Sequence, residues 1–279
     1  MHSFPIPVVA LGLGSQQEDE SLEYMSMPKD MHTFRLPELP EPEEVRDRAG
    51  VLAWFDELLR LVQSWTPAGG TRTLDMRHLT AADRQLIGQV LGEGEVSAQV
   101  QGEDGNLIIQ ESVFAGVWRV RGRDKDDQDF ADRIEVGDVP AAISICSGMS
   151  SVVTSILPGP NVVNAQALLA EIAEQVTAHS ATSHVINLSL LPFSPEDGIW
   201  LDECLGRGSI SILSRGYGNC RITATGVARV WWVQYFNSQD ALILNTLEIT
   251  DVPEVARAAA EDLEDSAERL AEVLAWIGD

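Results

Sequence analysis

The sequence has few cysteines and histidines, and their positions are as informative as their number. Of 279 residues, three are cysteine (Cys146, Cys204 and Cys220), five are histidine, and no Cys-x-x-Cys pair occurs. An odd number of widely separated cysteines is typical of free thiols in a reducing compartment and gives no zinc-binding pattern. We therefore expect a cytoplasmic protein with no disulfide framework and no structural metal.

Positive charge is also scarce. The chain has 19 Lys and Arg against 43 Asp and Glu, which gives a net charge of −24. Nucleic acids and anionic membranes are bound by basic surfaces, so neither is an expected partner. No apolar run approaches the ~20 residues of a membrane-spanning helix, and the N-terminus lacks the basic region of a secretory signal. The acidic surface either only solvates the protein or also attracts a basic partner.

Sequence signatures of catalysis are missing as well. There is no Gly-x-Ser-x-Gly, no phosphate-binding loop and no His-Glu-x-x-His. The LGLG string at 11–14 follows no strand pattern and lacks the third glycine of a dinucleotide loop. None of the histidines has a metal-ligand companion four residues away. We expect a binding protein with no catalytic residue, no metal site and no cofactor.

Residues 1–41 show no helical or strand period. Prolines at 5, 7, 28, 37 and 40 exclude a long helix and favour extended backbone. Two interpretations remain open: a disordered tail, or an extended arm whose apolar residues dock on the body or on a partner.

The centre of the chain is duplicated. Leu91–Gly122 and Leu205–Asn237 both read as a tight turn, a strand, a glycine turn and a long aromatic strand. The offset is 205 − 91 = 114, which pairs Gly94 with Gly208 and Trp118 with Trp232. At Asp138 and Asp251 the offset is 251 − 138 = 113, so we place a single-residue change in the loop before the third strand, where length varies easily.

The fold class predicted from these patterns is α+β, with two tandem repeats. Each repeat consists of a helix, a short strand, a helix, a three-stranded antiparallel meander and a closing helix. The predicted strands are Glu95–Gln101, Leu107–Val120 and Ile134–Val136, then Ser209–Ser214, Cys220–Phe236 and Ala241–Ile249. The domain boundaries follow as an arm at 1–41, a first repeat at 42–157 and a second repeat at 158–279.

A glycine-rich hairpin tip in the second repeat is the first candidate binding site. It carries Arg215, Tyr217, Asn219, Cys220 and Arg221. The first repeat has Gln101-Gly102-Glu103-Asp104-Gly105 at this place, so these side chains are not demanded by the fold. The alternatives are a turn whose glycines serve geometry only, and a Cys220 that is merely a small residue at the start of a strand.

The aromatic strand that follows the tip is the second candidate. In Trp231-Trp232-Val233-Gln234-Tyr235-Phe236 successive side chains alternate between faces. Since Trp232 is paired with Trp118 at the offset of 114, Trp232 is expected in the core. Trp231 is then peculiar to the second repeat, either as core or as a contact for a partner.

Several stretches resemble the HupH/HyaF-type hydrogenase expression and formation proteins. The matching strings are PVVALGLGSQQEDESLEYM and MPKDMHTF near the N-terminus, LGEGEVSA and ESVFAGVWRV in the first repeat, and LPFSPED, LGRGSISILSRGYGNCRITAT, VWWVQYFNS and ILNTLEITDVPEVA in the second. The resemblance covers essentially the whole chain and is most specific in the longest string.

The resemblance implies a cytoplasmic accessory protein in the maturation of an uptake nickel–iron hydrogenase. Such proteins look like chaperones that hold the precursor of the iron–sulfur small subunit until its clusters are in place and its twin-arginine signal can be exported. The implied partners are this precursor and other maturation proteins, and a homo-oligomer is compatible with the sequence. Two alternatives stay open: a scaffold that bridges maturation factors through the proline-rich arm, and a thiol-dependent factor in cluster assembly that acts through Cys220.

Overall fold

The computed structural model describes residues 40–41, 44–45, 47–103, 105–126, 128–144, 152, 156–180, 182–216 and 218–278. The predicted arm at 1–41 therefore lies outside the described residues except for its last two. None of the helices in these ranges combines the length and apolarity that a bilayer crossing requires.

The described residues form helices and strands in two similar series. The helices are α1 (Ala49–Gln63), α2 (Ala81–Leu91), α3 (Ala141–Ser144), α4 (Ala165–Ala178), α5 (Pro195–Leu205) and α6 (Ala260–Gly278). The strands are β1 (Arg72–Asp75), β2 (Val96–Gln101), β3 (Gly105–Glu111), β4 (Val117–Asp124), β5 (Asp129–Val136), β6 (His184–Asn187), β7 (Arg207–Ser214), β8 (Asn219–Thr225), β9 (Val230–Phe236) and β10 (Leu242–Ile249).

All ten strands join one antiparallel sheet. Its order is β1-β5-β4-β3-β2-β7-β8-β9-β10-β6, so each half is a meander flanked at its outer edge by the short strand that precedes it in the chain. The α+β class predicted from the sequence is confirmed, and the order of elements repeats between the halves.

The predicted three-stranded meander is wrong, because each half contributes four consecutive strands. The stretch Leu107–Val120, predicted as one bent strand, is β3 and β4 with a turn between them. Gly116 in this turn has φ of 76°, and the Ser112 hydroxyl accepts a hydrogen bond from the backbone N–H of Phe114 at 3.1 Å. Serine side chains that bond nearby backbone groups favour such turns.

The second predicted long strand, Cys220–Phe236, is divided in the same way into β8 and β9. Here the Thr225 hydroxyl accepts from the N–H of Val227 and donates to the carbonyl of Val230 at 3.0 Å. Arg229 adopts φ of 65°. Apolar residues on both sides of each turn hid it from an interpretation based on hydrophobic pattern.

These two turns differ in length, and this corrects the register of the duplication. Five residues separate β3 from β4 (112–116), and four separate β8 from β9 (226–229). The offset of 114 therefore changes to 113 inside this turn, before the tryptophans rather than before the last strand. The structural equivalent of Trp118 is Trp231, since 231 − 118 = 113, and the predicted pairing of Trp118 with Trp232 is wrong.

Two hydrogen bonds show that Trp118 and Trp231 are equivalent. The indole Nε1–H of Trp118 donates to the carbonyl of Gly137 at 2.8 Å, and that of Trp231 donates to the carbonyl of Thr250 at 3.1 Å. The acceptors are again 250 − 137 = 113 residues apart. Both indole rings are fully buried in the same core.

The sheet has one face with a continuous core and one face with two separate cores. On the covered face, Trp118 and Trp231 pack with the β2, β3, β7 and β8 side chains under the loops that follow β5 and β10. On the helical face, α1, α2 and α6 pack over one end of the sheet, and α4 and α5 pack over the other end.

Helix starts follow the capping pattern predicted from the sequence. Thr80 caps α2 through Asp83, and Ser194 with Asp197 forms a capping box at α5. The Asp197 carboxylate also accepts N–H bonds from Val163, Asn164 and Ala165, so one side chain caps two helices. Burial opposes ionisation, but these backbone donors outweigh it and lower the pKa of Asp197 to about 2.

The two equivalent tryptophans give a test of the corrected register. Trp118→Phe and Trp231→Phe each remove a buried indole hydrogen bond and part of a large side chain, so each is expected to lower the free energy of unfolding by about 1–3 kcal/mol. Trp276→Phe is the control, since this side chain is 50% exposed. Urea unfolding followed by circular dichroism measures the three values, and a Trp231→Phe variant as stable as Trp276→Phe would contradict a core position.

Candidate functional site

The predicted binding residues do not form one site, because the structure divides them between the two faces of the sheet. Cys220 and Trp231 lie in the core of the covered face, where each is 2% exposed or less. Asn219 and Arg221 alternate with Cys220 on β8 and face the helical side. Tyr217 lies outside the described residues. The strand between the two faces prevents these residues from contacting a single ligand surface together.

Arg215 lies at the junction of the repeats. Its backbone N–H donates to the carbonyl of Glu95 at 3.1 Å, and its side chain is half-buried. A Cβ on the neighbouring Gly216 would approach the Glu95 carboxylate to 2.3 Å, so the glycine permits this close contact. The tip therefore serves geometry at Gly216 at least, which was the alternative interpretation of its glycines.

Cys220 has the environment of a structural thiol. Burial raises its pKa to about 12, while a hydrogen bond from Tyr235 opposes this and the Glu248 carboxylate adds to it. A thiol needs to ionise to act as a nucleophile, and reactive cysteines have lowered pKa values in exposed, electropositive sites. The covered face provides the opposite conditions.

Acidic side chains on the covered face are also perturbed. Glu111 is 7% exposed, and burial raises its pKa to about 7 although its carboxylate accepts the N–H of Gly116 at 3.2 Å. Glu135 receives Arg133 at 2.7 Å and the N–H of Ala141 at 2.8 Å. Its equivalent is Glu248, since 248 − 135 = 113, and burial raises the pKa of Glu248, which has Thr246 as its hydrogen-bond partner.

The helical face has an uncovered band between its two groups of helices, which we call the polar strip. The strand registers place its side chains in adjacent rows. It consists of Arg119, Arg121 and Arg123 on β4, Asn106, Ile108 and Gln110 on β3, Ser97, Gln99 and Gln101 on β2, Ser211 on β7, and Arg221 and Thr223 on β8. The helices leave this band accessible, with Arg121 and Ile108 exposed.

Two arginines of the polar strip are held in defined positions. The Arg221 guanidinium lies over the Phe236 ring, 4.4 Å from its centroid. Arg119 forms an ion pair with Asp132 at 3.3 Å, and Arg84 from α2 approaches the same carboxylate at 3.5 Å. Of the residues predicted at the hairpin tip, Arg221 and Asn219 are the ones that the structure brings to this surface.

The β4 arginines were missed by the sequence interpretation. They occupy every second position in Val117-Trp118-Arg119-Val120-Arg121-Gly122-Arg123, which is the period of a strand with one basic face. The predicted strand ended at Val120, so the alternation was cut in the middle. The described residues contain no group of three His, Cys, Asp or Glu side chains placed to hold a metal ion.

Comparisons with known proteins agree on one family. The family model described as HupH hydrogenase expression protein, C-terminal conserved region, matches residues 50–148 and 162–277. Hydrogenase expression/formation protein HoxQ of Cupriavidus necator is 49% identical and covers 100% of this chain and 99% of its own. HupH of Rhodobacter capsulatus is 46% identical, and hydrogenase-1 operon protein HyaF of Escherichia coli is 35% identical. Coverage is 98% of both chains for HupH and 96% of both chains for HyaF.

One solved structure is also similar in sequence. The hydrogenase expression protein HupH from Thiobacillus denitrificans has 32% identity and a TM-score of 0.38, and the match covers 40% of this chain and 95% of that chain.

The buried Glu111 gives a pH test. Its pKa of about 7 exceeds the unfolded value near 4.5, so its contribution to stability is complete below pH 4.5 and is lost as the pH rises through 7. The free energy of unfolding of the wild type, relative to Glu111→Gln, is expected to fall by about 2–3 kcal/mol between pH 4.5 and 8. Glu103→Gln changes the same charge at an exposed position and should give a flat difference. Equal pH profiles for the two variants would contradict the assignment.

The thiol of Cys220 gives a second test. In the native protein at pH 8, iodoacetamide should alkylate Cys220 at least about a hundredfold more slowly than in urea, because the thiol is buried and neutral. Mass spectrometry of the Cys220 peptide measures both rates on the same chain. Rapid modification of the folded protein would restore Cys220 as a reactive site.

Proposed function

Because this chain belongs to the HupH family of hydrogenase expression proteins, we propose that it is a maturation chaperone for an uptake nickel–iron hydrogenase. It binds the precursor of the iron–sulfur small subunit in the cytoplasm before export. The relatives carry the words expression/formation in their names, which supports accessory work in maturation. Binding, without catalysis, is the activity that we assign.

An exposed apolar surface in the second repeat carries this proposal. We call it the apolar patch and define it by Val163, Leu190, Leu191, Ile199 and Ile243. Leu190 is 80% exposed and Ile243 is 61% exposed. Contiguous exposed apolar side chains on a soluble protein typically mark an interaction site, and a chaperone needs one to hold an unfolded or immature client.

The segments of the apolar patch are joined to one another by hydrogen bonds. The Ser189 hydroxyl accepts from the N–H of Asn245 at 2.8 Å, which fixes the Leu188–Leu190 turn against β10. The Asp197 carboxylate accepts from the N–H of Val163 at 2.8 Å, which fixes the loop before α4 against α5. The exposed side chains are therefore presented by an ordered framework.

The free edge of the sheet lies beside the apolar patch. Strand β6 is the terminal strand on this side and follows directly into the Leu188–Leu190 turn. Its Val185 side chain is 52% exposed. An unpaired strand edge flanked by apolar side chains suits an extended polypeptide, which adds backbone hydrogen bonds to apolar contacts.

Acidic residues on α5 suit a client with a basic segment. The helix carries Glu196, Asp202 and Glu203 around the exposed Ile199, and its one external basic partner in the structure is Arg207, 3.5 Å from Asp202. A twin-arginine signal combines an apolar stretch with basic residues, so both its parts have complementary surface here. This is the basic-partner alternative that the net charge of −24 left open.

Two other functions were considered from the sequence. A scaffold that uses the arm at 1–41 remains a separate proposal, tested by loss of maturation partners on deletion of that segment. A thiol-dependent role in cluster assembly has less support, because Cys220 is 2% exposed and its pKa is raised.

The apolar patch predicts which substitutions weaken client binding. Leu190→Ser and Ile243→Ser remove exposed apolar side chains, so each is expected to weaken binding of the small-subunit precursor about tenfold or more. Phe130→Ser is the matched control, because Phe130 is 43% exposed at the equivalent bulge of the first repeat, with 243 − 130 = 113. Binding is measured by pull-down and titration of purified precursor.

Two further arms of this experiment separate loss of contact from loss of fold and locate the client segment. Unfolding curves should be unchanged in Leu190→Ser and Ile243→Ser, since both side chains are exposed. Precursor lacking its signal should bind more weakly than complete precursor. Unchanged binding by both patch variants, or equal failure of both precursor forms to bind, would overturn the proposal.

A further inference from the structure

The polar strip concentrates positive charge in a strongly acidic protein. Four of its side chains, Arg119, Arg121, Arg123 and Arg221, are among only 19 Lys and Arg in the whole chain. Arg119 and Arg123 have acidic partners in Asp132 and Asp129. Arg121 has no ion pair among the described residues. Its pKa is lowered, first by partial desolvation and then by the charge of Arg119.

The remaining side chains of the polar strip can bond to a ligand without bringing charge. Gln99 and Ser211 lie opposite each other where the two repeats join, and Thr223 faces Ser211 from β8. Each is only half-buried. Amide and hydroxyl groups in this arrangement can donate to carboxylates or bond to an extended backbone.

The size of the polar strip fits a polypeptide segment. Arg119 and Arg221 lie in one row, separated by β3, β2 and β7, which corresponds to roughly 19 Å at ~4.8 Å per strand spacing. A helix with its side chains is about 10–12 Å wide. The helices on either side of the strip pack on the outer strands, so they would flank such a segment.

We propose that the polar strip binds an acidic segment of a partner protein, with Arg121 and Arg221 as its main charged contacts. Arginine–carboxylate pairs give directional, charge-assisted hydrogen bonds, and the Phe236 ring holds the Arg221 guanidinium in place for them. The inference uses a different surface from the apolar patch and goes beyond binding of the small-subunit precursor. The two sites would allow the protein to hold a client and contact a second protein at once.

Charge complementarity also separates this occupant from the alternatives. A nucleic acid would bring a long polyanion against a protein of net charge −24, whereas a short acidic segment confines its charge to the strip. A second copy of this chain and the chain's own acidic run at residues 18–20 are the remaining candidates, and both are outcomes of the test below.

The test measures binding of a fluorescein-labelled twelve-residue peptide of alternating Glu and Ala to the full chain by fluorescence anisotropy. The wild type should bind it, and the matched Gln/Ala peptide should bind at least tenfold more weakly. The double variant Arg121→Gln/Arg221→Gln should lose at least tenfold in affinity for the Glu/Ala peptide. Arg72→Gln, at an exposed position on β1, should lose less than twofold per charge removed. Half-molar salt should weaken wild-type binding strongly.

Several outcomes would overturn the proposal. These are equal affinity for the two peptides, an unchanged affinity in the double variant, or the same loss per charge in Arg72→Gln. Tighter peptide binding by Glu18→Gln/Asp19→Asn/Glu20→Gln would assign the strip to the chain's own N-terminal segment instead. Binding that follows dimerisation in analytical ultracentrifugation would assign it to a second copy. Precursor binding through the apolar patch is measured separately, so either proposal can fail without the other.

Discussion

The pairing of β2 with β7 is the interaction on which the rest of the structure depends. These strands join the two repeats, and Ala98 lies directly opposite Ile212, its own equivalent at 212 − 98 = 114. The approximate twofold axis between the repeats therefore passes through this residue pair. Without this ladder, β2 and β7 would be two unpaired edges, and the covered face would be two half-cores.

The shared sheet explains why the two faces differ in what they do. On the covered face, equivalent residues such as Trp118 and Trp231 close one core across both repeats, so their chemistry is constrained by packing. On the helical face, each repeat packs its own helices on the outer strands and leaves the centre open. The surfaces proposed for binding, the polar strip and the apolar patch, lie where the packing of the duplicated core imposes no constraint.

Local signals predicted much of the fold and little of the candidate site. Thr80 and Ser194 marked helix starts because a capping side chain acts within one turn. Alternation over Val96–Gln101 marked β2 because one face is buried and one is not. The turns after β3 and β8 were missed because apolar residues continue on both sides of them, and the register error at Trp231 followed from that.

The sequence by itself determined the class, the duplication, the acidic surface and the absence of a recognisable catalytic motif. These depend on composition and on contacts within a few residues, which a chain carries wherever it folds. Only the tertiary structure decided that Cys220 and Trp231 are core while Arg221 joins Arg121 on one surface. That outcome depends on which face of a ten-stranded sheet receives each side chain, and a shift of one residue in a turn reverses it.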